Sequence, residues 1–221
     1  METNWNMCLT RKTSVYIDSE LKFDEHISNK VNKANAMVGL IRRSFSFLDG
    51  ELFKKLYTSF VRPHLEYAQV VWQPHSVKQK NVIENVQIRA TKLVDGFKNL
   101  PYEERLRRLG LPSLTYRRER GDMIEIFKHI HTYDERIISS NFRRQLRPSR
   151  KHNFQLVENV PADGVRGKQH NAFYFRTNRR WNDLPSNVAN AKSIDEFKNE
   201  LDKAWAERTT IQDEQLEDED A

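Results

Sequence analysis

The apolar residues of this chain recur at helical spacing, and this periodicity constrains its fold more than any other feature. The first such stripe lies between residues 24 and 47 and consists of Ile27, Val31, Ala34, Val38, Ile41 and Phe45. Spacings of four and three place these side chains on one side of a helix. Asp24 is expected to be its N-cap. Only seven Gly and seven Pro occur in 221 residues, which favours long helices over a turn-rich β fold.

Two more helices are expected in the same part of the chain. The second opens after Asp49, and Pro63 should kink or end it. The third begins with Ser76 and Gln79, which have the spacing of a capping box. Three antiparallel helices joined by short loops predict a small bundle over residues 24–96.

Helical signals continue into the second half of the chain. Pro101 suits the start of a short helix that Gly110 ends, and Ser113 can cap a helix that runs to about His131. A last helix is expected over residues 193–205, with a face formed by Ile194, Phe197, Leu201 and Trp205.

The remaining segments have weaker signals. Periodicity disappears over residues 133–168, and two short strands are predicted at 154–157 and 172–176. Residues 207–221 are acidic and are expected to be disordered. The predicted fold is therefore mainly α: a bundle over residues 24–96, a basic helical extension over 97–206 with at most a few short strands, and the acidic tail. Residues 1–23 are expected to be a leader and an edge strand.

Charge is distributed unevenly along the chain. Residues 207–221 contain seven acids and one Arg, so the net charge of +6 divides into −6 for this tail and +12 for residues 1–206. A basic body indicates an anionic partner, for which nucleic acid is the usual candidate.

Several classes of protein are disfavoured by composition. Cys8 is the single cysteine, so the chain has neither a disulfide of its own nor a thiolate zinc site. No apolar run approaches the roughly 20 residues that span a bilayer, and the first residues do not resemble a signal peptide. We expect an intracellular protein, nuclear or cytoplasmic, with no membrane partner, metal or cofactor.

Arginine clusters are the candidate nucleic-acid-binding residues, because guanidinium groups pair with phosphate and remain charged. The candidates are Arg62, Arg105, Arg107, Arg108, Arg117, Arg118, Arg120, Arg143, Arg144, Arg147, Arg150, Lys151, Arg179 and Arg180. Two other interpretations remain open. Arg107 and Arg108 have helical spacing to Glu104 and could form surface ion pairs. Arg117, Arg118 and Arg120 oppose the dipole of their helix, so they need either an anionic partner or Asp/Glu from elsewhere in the fold.

Six segments resemble, in order, the region that follows the catalytic palm in reverse transcriptases of jockey-like, LINE-type non-LTR retrotransposons. They are residues 15–18 (VYID), 21–27 (LKFDEHI), 60–72 (FVRPHLEYAQVVW), 83–93 (IENVQIRATKL), 117–123 (RRERGDM) and 181–205, from WNDLP to FKNELDKAW. The resemblance implies that residues 24–96 are the polymerase thumb and that residues 15–18 are the last edge strand of the palm.

The Tyr-x-Asp-Asp of that family is absent, and in the nearest match, residues 16–19, the second carboxylate is replaced by Ser19. Polymerisation in that family uses two metal ions, and these carboxylates bind them. We therefore expect a non-catalytic fragment, encoded by a frame that starts inside an older element. It is expected to bind template RNA, an RNA–DNA hybrid or DNA through phosphate contacts. The alternatives are a helical protein-interaction module that self-associates or meets a palm-containing partner, and an inert relic.

Overall fold

The computed structural model describes residues 15–18, 21–74, 76–131, 152, 154–157 and 173–219. The chain divides into two compact units, Met1–Glu119 and Arg120–Ala221. The described residues are mainly helical and form no sheet, which confirms the predicted mainly α fold. The strand expected at 15–18 is not formed, because no described strand pairs with it.

Helix α1 (Asp24–Ser44) begins the first unit and buries the predicted stripe. Asp24 is its first helical residue and not its N-cap, which is Phe23 at φ 57°. The carboxylate of Asp18 instead accepts the backbone N–H of Lys22 at 3.0 Å and that of Phe23. The prediction failed because the left-handed turn at Phe23 starts the helix one residue earlier, which places Asp24 in the first turn, where its carboxylate accepts the Gln79 amide and complements the helix dipole.

The second helical segment is interrupted near Pro63, as predicted. Helix α2 (Gly50–Leu56) is capped by Asp49, a π-helical turn covers Tyr57–Val61, and α3 (Arg62–Glu66) follows. Proline has no N–H and its ring crowds the carbonyl four residues earlier, so a widened turn accommodates it. The chain then passes through Ala68 at φ 54° into the short helix α4 (Gln69–Trp72).

Helix α5 (Val77–Thr91) opens with the predicted capping box. The amide of Gln79 also donates to Asp24 Oδ1 at 2.6 Å, and at the other end Asp95 N–H donates to Leu48 O at 3.0 Å. Helices α1 and α5 therefore run in the same direction, and α2 to α3 runs back between them. This is the three-helix bundle expected from the sequence, with Trp72, Leu65 and Phe53 in its core.

The helices α6 (Tyr102–Leu109) and α7 (Leu114–His131) follow, and both match the predicted bounds. Gly110 ends α6 at φ 58°. Ser113 Oγ accepts Tyr116 N–H at 3.1 Å and caps α7, as predicted.

The second unit is built around Trp181. Its described helices after α7 are α8 (Phe173–Asn182), α9 (Ser186–Ala189) and α10 (Ile194–Glu219). They bury Trp181, Phe197 and Leu201 together with Met123 and Phe127 from the end of α7. The apolar face predicted for residues 193–205 is confirmed.

Three expectations in this unit are wrong. The strand predicted at 172–176 is the start of α8, because Phe173, Thr177 and Trp181 recur every fourth residue and share one helix face. The segment 154–157 forms no strand, since its backbone bonds mainly to side chains of α8. Residues 207–219, expected to be disordered, continue α10, since extending a formed helix needs no new nucleus.

Candidate nucleic-acid interface

The three candidate arginines of α6 are engaged inside the first unit. Arg105 is buried and donates to Ile88 O and Thr91 Oγ1, each at 2.6 Å. Arg107 and Arg108 are exposed and bind Glu104 at 2.7 and 2.6 Å. Their hydrogen bonds lower the pKa of Glu104 to about 2. The ion-pair interpretation therefore describes Arg107 and Arg108, and Arg105 has no access to a phosphate.

The arginines at the start of α7 find acids from elsewhere in the fold. Arg117 donates to Glu66 at 3.0 Å, and Arg62 lies 3.6 Å from the same carboxylate. Arg120 binds Asp202 through two contacts of 2.6 and 2.8 Å. Tertiary Asp/Glu pairing, one of the two explanations open from the sequence, thus accounts for Arg117 and Arg120.

Glu84 neutralises the N-terminus of α7 from outside the helix. Its carboxylate accepts the backbone N–H of Leu114 at 3.1 Å and of Thr115 at 3.2 Å, and the Tyr102 hydroxyl donates to it at 2.6 Å. A carboxylate at this position satisfies free N–H groups and interacts favourably with the helix dipole. Burial and this hydrogen bond raise the pKa of Tyr102, so the phenol stays protonated.

Arg118 is the most buried of the candidates, with 1% of its surface exposed. Its Nη2 donates to Thr115 Oγ1 at 3.3 Å, while Nη1 has no hydrogen-bond partner. Burial lowers the pKa of the guanidinium, and the charges of Glu84 and Glu66 act in the opposite direction. Arg118 is therefore part of the interior that Glu84 organises, not of a nucleic-acid surface.

The remaining candidates lie in the second unit. Arg179 and Arg180 are exposed on α8, whereas their neighbour Arg176 binds Asp122 at 3.0 Å. Trp181 beside them belongs to the core. Five predicted residues, Arg143, Arg144, Arg147, Arg150 and Lys151, lie outside the described residues.

Helix α1 presents a cationic surface that the arginine clusters did not indicate. After Glu25 it has four Lys or Arg residues and no acid. Lys33, Arg42 and Arg43 are exposed, and no ion pair is found for them among the described residues. Arg42 and Arg43 do complement the C-terminal end of the helix dipole, but this leaves their guanidinium groups open to solvent. The sequence signal for these cations was that no Asp or Glu lies three or four residues away from any of them.

Tyr67 follows the end of α3 and lies beside Lys30 of α1. The residue is 55% exposed, and the ammonium group of Lys30 lies 5.7 Å from the ring centroid. Lys30 itself is only 6% exposed. Burial and the charge of Lys33 lower its pKa, and burial together with Lys30 and Lys33 lowers the pKa of His64. Tyr67 lies in residues 60–72, one of the segments that resemble the retrotransposon family, but the sequence indicated no role for it.

His26 is buried in the first turn of α1 and is expected to make the bundle sensitive to acid. The ring is buried, its centroid is 5.0 Å from that of Trp72, and its Nε2 has no hydrogen-bond partner. Burial first, and then Lys30 and Lys33, lower its pKa from 6.5 to about 4. The imidazole is therefore neutral in the folded protein at neutral pH.

We expect the free energy of unfolding to fall by about 1–3 kcal/mol as the pH drops from 6.5 to 4. The unfolded chain takes up a proton on His26 in that interval and the folded chain does not, so acid favours unfolding. Urea unfolding at several pH values measures this dependence. His26→Phe should flatten it; an unchanged slope in that variant would show that other groups cause the acid sensitivity.

No described group of three or more His, Cys, Asp or Glu residues is arranged to hold a metal ion. None of the described helices is long and apolar enough to cross a bilayer.

Comparison with known proteins leaves the family open. No family model matches the chain, and no solved structure matches it. An uncharacterized protein of Caenorhabditis elegans is 25% identical over 130 residues, which are 58% of this chain and 63% of that protein. The match therefore spans less than two thirds of the relative's length.

Proposed function

We propose that this chain binds RNA or an RNA–DNA hybrid through phosphate contacts and has no catalytic activity of its own. The observation that carries the proposal is the surface of α1, where Lys33, Arg42 and Arg43 are exposed without an acid partner among the described residues. Cations that a fold leaves unneutralised on one helix are available to a polyanion, and phosphate contacts supply most sequence-independent affinity.

Two features of the sequence support this choice. The basic body of residues 1–206 carries a net charge of +12. The ordered resemblance to the thumb of non-LTR retrotransposon reverse transcriptases implies a region that grips a primer–template duplex. The absent Tyr-x-Asp-Asp supports the lack of catalysis, since polymerisation requires metal-binding carboxylates.

A salt titration of the dissociation constant tests the proposal. The variant Lys33→Gln, Arg42→Gln, Arg43→Gln should bind a labelled RNA–DNA hybrid more weakly, and its log–log salt slope should be smaller by about two to three units. The matched control replaces Lys55, Arg107 and Arg108 by Gln. It removes the same charge from cations that already bind Glu51 and Glu104, so its slope should stay close to the original.

Equal slopes in both variants would assign binding to overall charge rather than to α1. A further variant, with Arg143, Arg144, Arg147 and Arg150 changed to Ala, measures the share of the candidates outside the described residues. Failure of the unchanged chain to bind RNA, hybrid or DNA at low salt would refute the proposed function.

A helical protein-interaction module is the second candidate, and exposed aromatic residues favour it. Phe47 and Phe60 are 67% and 56% exposed in the first unit. Aromatic side chains are enriched in protein–protein interfaces, so these two are available to a partner. Sedimentation at micromolar concentration distinguishes the two: a monomer favours the nucleic-acid proposal, whereas an oligomer lost on changing Phe47 and Phe60 to Ser favours this one.

A further inference from the structure

We propose that Tyr67 stacks one unpaired base of single-stranded RNA and that the exposed Lys33, one turn along α1 from the Lys30 that lies over the ring, holds its phosphate. The inference rests on the proposed function and assigns to it a specific base-contacting residue. It concerns the corner where the end of α3 meets the first half of α1.

The backbone holds Tyr67 in place from both sides. Its N–H donates to Pro63 O at 3.1 Å, and its carbonyl accepts the indole N–H of the buried Trp72 at 2.6 Å. The next residue, Ala68, has φ 54°, a conformation that costs a non-glycine residue energy and persists only where the surroundings enforce it. The fold therefore fixes the backbone that carries an aromatic side chain which it does not bury.

The ring of Tyr67 is suited to stacking. Lys30 lies over it at 5.7 Å from the centroid, while more than half of the residue remains exposed to solvent. Base stacking on an aromatic side chain requires an open face and tolerates any base, because every base has a π-face. A stacked base would also cover apolar surface that is now in water.

The charges around the ring suit a phosphate. Lys30 and Lys33 lie one turn apart on α1, His64 and Tyr67 lie one turn apart on α3, and the two helices pack against each other. Glu66, the acid in this turn of α3, is bound by Arg117 and Arg62. Burial first, and then the charges of neighbouring lysines, lower the pKa of Lys30 and of His64. A phosphate bound by Lys33 would reduce the repulsion between the two lysines.

The proposed site distinguishes single-stranded RNA from other polyanions, which phosphate contacts alone do not do. Single-stranded RNA offers unpaired bases, and a duplex does not. An abasic ribose-phosphate chain offers the charge without the bases. Tyr67 should therefore matter for the first ligand and not for the other two, whereas Lys33 should matter for all three.

The test measures the affinity of the full chain for a labelled twelve-nucleotide oligouridylate, an abasic chain of equal length and an RNA duplex. Tyr67→Ala should weaken binding of the oligouridylate about tenfold and change the other two little. Tyr67→Phe should keep the original affinity because it keeps the ring. Lys33→Gln should weaken all three ligands, and Lys92→Gln, an exposed cation at the far end of α5, serves as the charge-matched control.

The possible failures are distinguishable. If Tyr67→Ala binds the oligouridylate as tightly as the unchanged chain, or weakens all three ligands equally, the stacking site is wrong and the proposed function stands. If the unchanged chain binds none of the three, both are wrong. Thermal unfolding of Tyr67→Ala should match that of the original, since the ring is largely exposed; a large loss of stability would assign the residue a structural role instead.

Discussion

Replacing Glu84 by Ala should lower the free energy of unfolding by about 3–4 kcal/mol, because one carboxylate accepts hydrogen bonds from several partly buried donors. The substitution leaves the first N–H groups of α7 and the Tyr102 hydroxyl without their acceptor. It also removes the negative charge that most favours the charged form of the buried Arg118. A buried cation that loses its counter-charge is among the more costly changes a fold can undergo.

Urea unfolding of four further variants, Glu84→Gln, Arg118→Met, their combination and Glu103→Ala, separates these contributions. Glu84→Gln keeps an acceptor oxygen and should lose less than Glu84→Ala. The double variant Glu84→Gln, Arg118→Met should be more stable than the sum of the two single changes predicts, because the two charges offset each other. Glu103→Ala, on the exposed side of α6, should change stability by less than about 0.5 kcal/mol. Additive losses at Glu84 and Arg118 would show that the two residues are not coupled.

Replacing Trp181 by Ala should cost the second unit about 3–5 kcal/mol. The indole is buried beside Phe197, with ring centroids 5.9 Å apart, and its N–H donates to Phe154 O at 2.8 Å. Truncation therefore creates a cavity and leaves a backbone carbonyl without its donor.

Hydrogen exchange of α8 and α10 provides the measurement, since both contribute to this core. Trp205→Ala is the matched control, because Trp205 packs at the edge of the same cluster and is only partly buried. The loss of hydrogen-exchange protection in Trp205→Ala should be clearly smaller. Equal protection in the Trp181 variant and the unchanged protein would contradict the central position assigned to this residue.

Local signals predicted most of the helices. The stripe of α1, the capping box of α5, Gly110 after α6 and Ser113 before α7 each depend on residues within a few positions of one another. Such signals are visible in a sequence. The strand predicted at residues 172–176 was wrong. A short run of aromatic residues favours a strand locally, and the four-residue period of the helix becomes visible only when the sequence is read on to Trp181.

The candidate site was harder to predict, because the acid that neutralises a given arginine is brought to it by the tertiary fold. Glu66 and Arg117 are 51 residues apart, and Arg120 and Asp202 are 82 apart. No local pattern connects them, so a dense run of arginines looked like a phosphate site. The more useful signal was negative: α1 has no acid after Glu25, although its cations are fewer and more widely spaced.

The two contacts that join the ends of α1 and α5 determine how the bundle can form. Gln79 reaches Asp24 across 55 residues, and Leu48 meets Asp95 across 47. Closing a chain segment of that length costs entropy that grows only slowly with length. The chain between α1 and α5 could therefore gain or lose a few loop residues at small thermodynamic cost, provided that both ends still meet. Over evolutionary time, length changes in this bundle should accumulate between the helices, while Asp24, Gln79 and Asp95, whose side chains make these contacts, stay constrained.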